Sequence, residues 1–209
     1  DFHQIRMSYI LNSDKIYLNI NMIRDCTEAE GPGKRFCIWL QGCNLGCKNC
    51  INNQMLEFEV KNIISIKDLQ EYILESKEKY DLEGVTFLGG EPFLQANGLK
   101  YVAKFCQEIG LSVMSFSGFK YEKLKQNIVD GSNELLANLD ILIDGPYIEL
   151  FRDSSRNWVG STNQTFYYLS NRYNLSIETD NKYKNKLEIS ISNNKILVNG
   201  EANLTKEFS

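Results

Sequence analysis

The sequence predicts an α/β protein on a mainly parallel sheet, an open or partial β/α barrel carrying a C-terminal β-hairpin extension. Three observations predict it. Apolar strand patterns and helical stripes alternate from residue 36 to 145, the order that gives parallel strands joined by right-handed crossovers. At 209 residues the chain falls short of the roughly 250 that a complete eight-stranded barrel takes. Beyond residue 170 the helical period disappears, and Leu187, Ile189 and Ile191 alternate with polar positions. The division expected is an N-terminal segment over 1–15, a main domain over 16–170 and the extension over 171–209.

Ile16 to Ile23 reads as a first strand. Gly31-Pro32-Gly33 is a turn, and Phe36 to Gln41 is a second strand running into a cluster of cysteines. Ser65 with Asp68 resembles a helix capping box, after which Ile66, Leu69, Ile73 and Tyr80 continue a helical stripe. Gly84 to Leu88 is a buried strand ended by Gly89-Gly90. Leu99, Val102, Ala103, Cys106 and Ile109 share one helical face. Leu111 to Phe116 is a strand, and Tyr121, Leu124 and Ile128 mark another helix. Leu139 to Ile143 is a strand closed by Asp144-Gly145-Pro146, and Asn193-Asn194 turns the final hairpin into Ile196 to Val198. Ligand chemistry on such sheets gathers at the carboxyl ends of the strands. The loops after Gln41, Leu88, Phe116 and Ile143 are therefore the candidates.

Composition excludes several classes. Hydrophobic residues make up 43% and charged residues 24%, enough to bury a core and too balanced for a disordered chain. Against 27 acidic residues stand 23 basic ones, a net charge of -4, which argues against a nucleic-acid footprint. No run of 18 uncharged apolar residues offers a membrane span, and no secretory signal is evident. A cytoplasmic location is expected. Met7 reads as a translation start, with Asp1 to Arg6 outside the native chain. That discounts His3, the only histidine, and with it schemes built on a histidine base.

Six cysteines remain: Cys26, Cys37, Cys43, Cys47, Cys50 and Cys106. A disulfide framework does not suit a chain of this size without an export signal. Cys106 reads as a small hydrophobe on its helical face, and Cys26 and Cys37 are read the same way. Cys43, Cys47 and Cys50 form C-x3-C-x2-C, close enough to converge on one metal centre. A structural zinc would want four ligands, and the only spare thiol, Cys37, is fixed inside a strand. Three cysteines on a [4Fe–4S] cluster leave one iron open for catalysis. The cluster is the favoured reading, with zinc the alternative. Gly89-Gly90-Glu91-Pro92 begins 39 positions after Cys50 on the same sheet edge. Two glycines let a ligand approach the main chain, and an exposed Glu91 can accept from an ammonium. Taken alone, the same four residues also fit an ordinary turn.

The cysteine spacing resembles that of the radical S-adenosylmethionine (SAM) superfamily, and the similarity extends further. Glu30 to Arg35, Gln41-Gly42-Cys43, Ser115-Phe116-Ser117-Gly118-Phe119, Asp140 to Tyr147 and Trp158-Val159-Gly160-Ser161-Thr162-Asn163-Gln164 resemble segments of the glycyl-radical-enzyme activases, above all those of anaerobic ribonucleotide reductase. The motifs run in family order over about residues 17 to 170. Asn49 replaces the aromatic residue common before the third cysteine, and Ile51 stands where many activases have His or Tyr. The 171–209 hairpin lies beyond the compact activase pattern.

The resemblance implies a [4Fe–4S] cluster held by Cys43, Cys47 and Cys50, with SAM chelating the open iron. Reductive cleavage would give methionine and a 5′-deoxyadenosyl radical, which takes a hydrogen atom from a glycine Cα of a partner glycyl radical enzyme. Gly89, Gly90, Glu91 and Pro92 would orient the methionine end, with Asn52 beside them. Ser115 and Ser117 would either bond the ribose or carboxylate or simply cap the next helix. Asp144, Arg152, Arg156 and Asn163 are weaker candidates, the arginines equally readable as solvated surface and Trp158 as core. Flavodoxin or ferredoxin is the implied electron donor. A radical SAM enzyme acting on another peptide or small molecule is the rival, and a non-catalytic iron–sulfur or zinc protein a second.

Overall fold

The computed structural model describes residues 16–184, 186–192 and 195–200. The expected Met7 start, His3 and the Asn193-Asn194 turn lie outside the described residues. A seven-stranded sheet dominates: β1 (Tyr17–Thr27), β2 (Arg35–Leu40), β3 (Asn62–Ser65), β4 (Gly84–Gly89), β5 (Ser112–Ser117), β6 (Ile141–Asp144) and β7 (Thr165–Tyr168), in the spatial order β3-β1-β2-β4-β5-β6-β7. The four central strands β2, β4, β5 and β6 are parallel, while β1, β3 and β7 pair antiparallel. The fold is thus a mixed α/β architecture on one large sheet. A separate antiparallel pair, β8 (Leu187–Ser192) and β9 (Lys195–Gly200), follows it.

Strand periodicity builds two unlike faces. Phe36, Ile38, Leu40, Val85, Phe87 and Val113 lie under α1 (Ile66–Tyr80) and α2 (Ala96–Glu108) in the main core. Their alternates Cys37, Trp39, Leu88, Met114, Ile141 and Ile143 line the opposite face. The capping pattern is realised: Ser65 Oγ accepts from the Asp68 amide at 3.1 Å and donates to its carboxylate at 2.7 Å. Cys106 is fully buried on α2, Cys37 is fully buried on β2, and Cys26 packs half-buried against the main core.

One end of the sheet is locked by a buried cation. The Arg35 guanidinium donates to Thr86 Oγ1, the Pro32 carbonyl, Ser112 Oγ and the carbonyls of Val85 and Ser112. All five N–H donors are met by neutral oxygens. This pins the turn before β2 beneath the start of β4 and β5, and leaves the opposite strand ends for the site.

Two expectations need correction. The helix expected through Ile128 stops early: α3 covers only Tyr121–Leu124, Asn127 sits at φ 53°, and Ile128 is exposed. Asn tolerates that left-handed geometry and so breaks the stripe. A second short helix, α4 (Ser132–Leu136), carries Leu135 and Leu136 into the core instead. The short edge strands β3 and β7 were also unanticipated.

Candidate iron–sulfur and cofactor site

Beyond the strand ends lies a cleft of about 250 Å³, lined by residues from the loops that follow β2, β4, β5 and β6. Gln41 anchors the cysteine loop. Its Nε2 donates to the Glu57 carbonyl at 2.7 Å, and its Oε1 accepts from Asn21 Nδ2 at 2.8 Å. The loop returns on itself where the Gly42 and Cys43 amides donate to the Met55 and Leu56 carbonyls at 2.8 and 2.9 Å. Cys43, Cys47 and Cys50 are free, half-buried and all on the cleft.

The turn after β4 is stitched to this loop. The Gly90 amide donates to the Leu40 carbonyl at 2.8 Å, and the Glu91 amide to the Gly42 carbonyl at 2.9 Å. Both glycines are sterically required. Gly89 adopts φ 107°, and a Cβ on Gly90 would lie 2.3 Å from the Gly42 oxygen. Asn52 lines the cleft, but its side-chain nitrogen is engaged with the Gly89 carbonyl at 3.1 Å.

Glu91 is not the exposed acceptor expected from the sequence. It is 1% exposed. Its Oε1 accepts from the Phe93 amide and Ser117 Oγ, both at 2.9 Å, and its Oε2 from the Gly118 amide at 2.7 Å. Burial pushes its carboxyl up to about 7, against the pull of those three donors. The side chain caps the 3-10 turn Pro92–Gln95 and ties it to the end of β5. Ordinary turn chemistry and a place on the cleft therefore coexist in one residue.

Ser117 reaches the cleft through this network and accepts from the Phe119 amide at 3.0 Å. It does not cap α3. Ser115 is a correction: it pairs in register with Phe87 on the helix-covered face, is fully buried, and donates to the Phe116 carbonyl. It sits mid-strand, short of the strand end where Ser117 meets the cleft. Among the weaker candidates, Arg152 and Trp158 line the cleft. Asp144 is instead held by Lys120 Nζ at 3.1 Å and the Tyr121 amide at 2.7 Å. Arg156 pairs with Asp153 at 2.7 Å, and Asn163 Nδ2 donates to the Pro146 carbonyl. Residues given no role from sequence also line the cleft: Tyr147, Gln164, Tyr183, Lys186 and Gly200.

The donor set suits a cluster. Three free thiols face a partly apolar cleft, with Leu45, Leu88 and Phe116 among its walls, the sulfur-rich and histidine-free donor set that iron–sulfur clusters take. Burial raises the Cys43 and Cys50 thiols, so ligation must release protons.

The sequence matches the family described as a 4Fe-4S single cluster domain over residues 29–167. The chain belongs to that family. Its cluster-domain relatives include the anaerobic ribonucleoside-triphosphate reductase-activating protein of Enterobacteria phage T4, 27% identical over 70% of this chain and 92% of the relative. The pyruvate formate-lyase-activating enzyme of Clostridium pasteurianum is 31% identical over 49% of this chain and 44% of the relative. QueE from Escherichia coli superposes with a TM-score of 0.43 at 19% identity, covering 53% of this chain and 56% of that one. The likeness to glycyl-radical-enzyme activases read from the motifs holds, and a [4Fe–4S] cluster with SAM are the cofactors that the family and relatives imply. No helix among the described residues is long and apolar enough to cross a membrane.

Proposed function

We propose that this protein is a radical SAM activase that generates a glycyl radical on a partner enzyme such as anaerobic ribonucleotide reductase. The observation that carries the reading is the meeting of three free thiols and the Gly89–Pro92 turn on one strand-end cleft. When bound, the cluster and SAM supply one electron and a carbon radical able to take a hydrogen atom from a glycine Cα. Cys43, Cys47 and Cys50 hold the cluster. The Gly89-Gly90 backbone offers close approach to the methionine end of SAM, while Glu91 holds that turn against the end of β5. Ser117 and Asn52 brace the same wall, and the apolar walls exclude water. In this reading the sheet is a partial barrel of the radical SAM type over 16–170, with 171–209 a distinct extension. Flavodoxin or ferredoxin serves as electron donor, in an anaerobic cytoplasm.

The test is anaerobic reconstitution with iron and sulfide, addition of dithionite and SAM, and chromatographic measurement of 5′-deoxyadenosine beside a Cys47→Ala control. Product that vanishes in the control is expected. Uptake of zinc and never iron sinks the reading.

A further inference from the structure

The chain continues past the matched family region, which ends at residue 167, and the continuation is fastened at two distant places. On one side, the Asn157 amide donates to the Glu178 carbonyl at 2.6 Å, and Asn157 Nδ2 donates to the carbonyls of Ile177 and Asp180 at 2.8 and 3.0 Å. Ile177 is buried with Met114, Ile141 and Ile143, and the Tyr183 ring lies 4.9 Å from that of Trp158. On the other side, Lys186 Nζ meets Glu28 at 2.6 Å, Glu188 accepts from the Glu28 amide at 2.7 Å, and Asn199 Nδ2 donates to Thr27 Oγ1 at 3.1 Å and to Glu30 at 3.3 Å.

The first anchor belongs to the β6–β7 connection and the second to the end of β1. Between them in the sheet lie β2, β4 and β5. Tyr183, Lys186 and Gly200 line the same cleft as Cys43 and Gly90. We propose that the described residues 169–184, 186–192 and 195–200 form a strap that roofs the helix-free face of the sheet and leaves the strand-end mouth as the way to the radical site. This rests on the proposed function for the chemistry being shielded, whereas the strap itself rests on the contacts. A reactive carbon radical gains from such a roof, because a closed chamber keeps adventitious hydrogen donors away.

Three forms of the cluster-loaded protein test it beside wild type: Lys186→Glu, which sets a third carboxylate against Glu28 and Glu188; the swap Lys186→Glu/Glu28→Lys; and a chain ending at residue 170. The first readout is hydrogen–deuterium exchange. Lys186→Glu is expected to speed exchange at 27–31 and 156–160 by about fivefold, the scale of a lost exposed ion pair, with the swap restoring protection. The second readout uses perdeuterated glycerol as a solvent hydrogen donor, with dithionite and SAM, and measures deuterium in 5′-deoxyadenosine. Severalfold more deuterium from the opened forms, reversed in the swap, is expected. Unchanged exchange at 156–160 in both Lys186→Glu and the shortened chain overturns the strap, as does faster exchange without added deuterium. Absence of 5′-deoxyadenosine from every form overturns the functional reading instead, while exchange still decides the strap.

Discussion

Glu91 Oε2 accepts a hydrogen bond from the Gly118 amide at 2.7 Å, joining the turn after β4 to the turn after β5 beneath the cleft. The carboxylate does this in near-complete burial, and its pKa of about 7 records the conflict between desolvation and its donors. Because the folded value exceeds the unfolded one, the folded state binds the proton more tightly. Stability is therefore highest below about pH 4.5 for this group and falls as pH rises toward 7, by up to about 3 kcal/mol. Urea unfolding of cluster-free wild type and Glu91→Gln across pH 4.5 to 7.5 checks it. Glu91→Gln, an uncharged isostere of the protonated carboxyl, should gain stability relative to wild type as pH rises through this window, and a difference that stays constant contradicts it.

The cysteines divide into two sets. Ser substitution at Cys43, Cys47 or Cys50 is expected to abolish bound iron while leaving the fold intact, because these thiols sit half-buried on a loop. Ala substitution at Cys37 or Cys106 should retain iron but cost about 1–2 kcal/mol, since both fill the core. Iron analysis and urea midpoints on the same preparations separate the two outcomes.

Gly90→Ala probes the seam between loop and turn. Its Cβ would meet the Gly42 and Met55 carbonyls, both backbone, so the side chain cannot be accommodated by a rotamer change. The Glu91-to-Gly42 hydrogen bond should open, at a cost of about 1–3 kcal/mol for overpacking. Cluster occupancy after reconstitution is expected to fall more than helicity by circular dichroism. Loss of both together would mean the seam supports the whole fold.

Much of this was legible in the chain because it is written locally. The parallel core showed itself through strand and helix periods, α1 through Ser65 and Asp68, and the cleft through four loops at one sheet edge. Parity could not separate Ser115 from Ser117, which share a strand face; only Ser117, at the strand end, meets the cleft. The burial of Glu91 was not readable, because two of its donors come from residues 117 and 118, 26 and 27 positions away. Lys186 was less readable still, since its partner Glu28 is 158 positions distant. Local pattern reveals elements and ligand spacing, whereas the partner of a buried or bridging charge is set by topology.

Asp153 and Arg156 supply a test at the acid end. Burial alone would raise the Asp153 carboxyl, but hydrogen bonds from Ser155 and Arg156 outweigh it and hold the group down at about 2. Arg156 also donates to the Gln164 carbonyl at 3.1 Å and lies 3.7 Å from Glu178, so the pair links the cleft-wall segment 158–164 to the start of the strap. A depressed folded pKa contributes stability that is complete above the unfolded value near 3.8 and is lost as pH falls toward 2, about 2 kcal/mol in all. Asp153→Asn should therefore be destabilised by about that amount at pH 7, with the gap to wild type closing between pH 4 and pH 2. Urea midpoints of both proteins at pH 7, 4 and 2.5 measure the gap, and a gap that persists undiminished at pH 2.5 would show that packing rather than ionisation sets the cost.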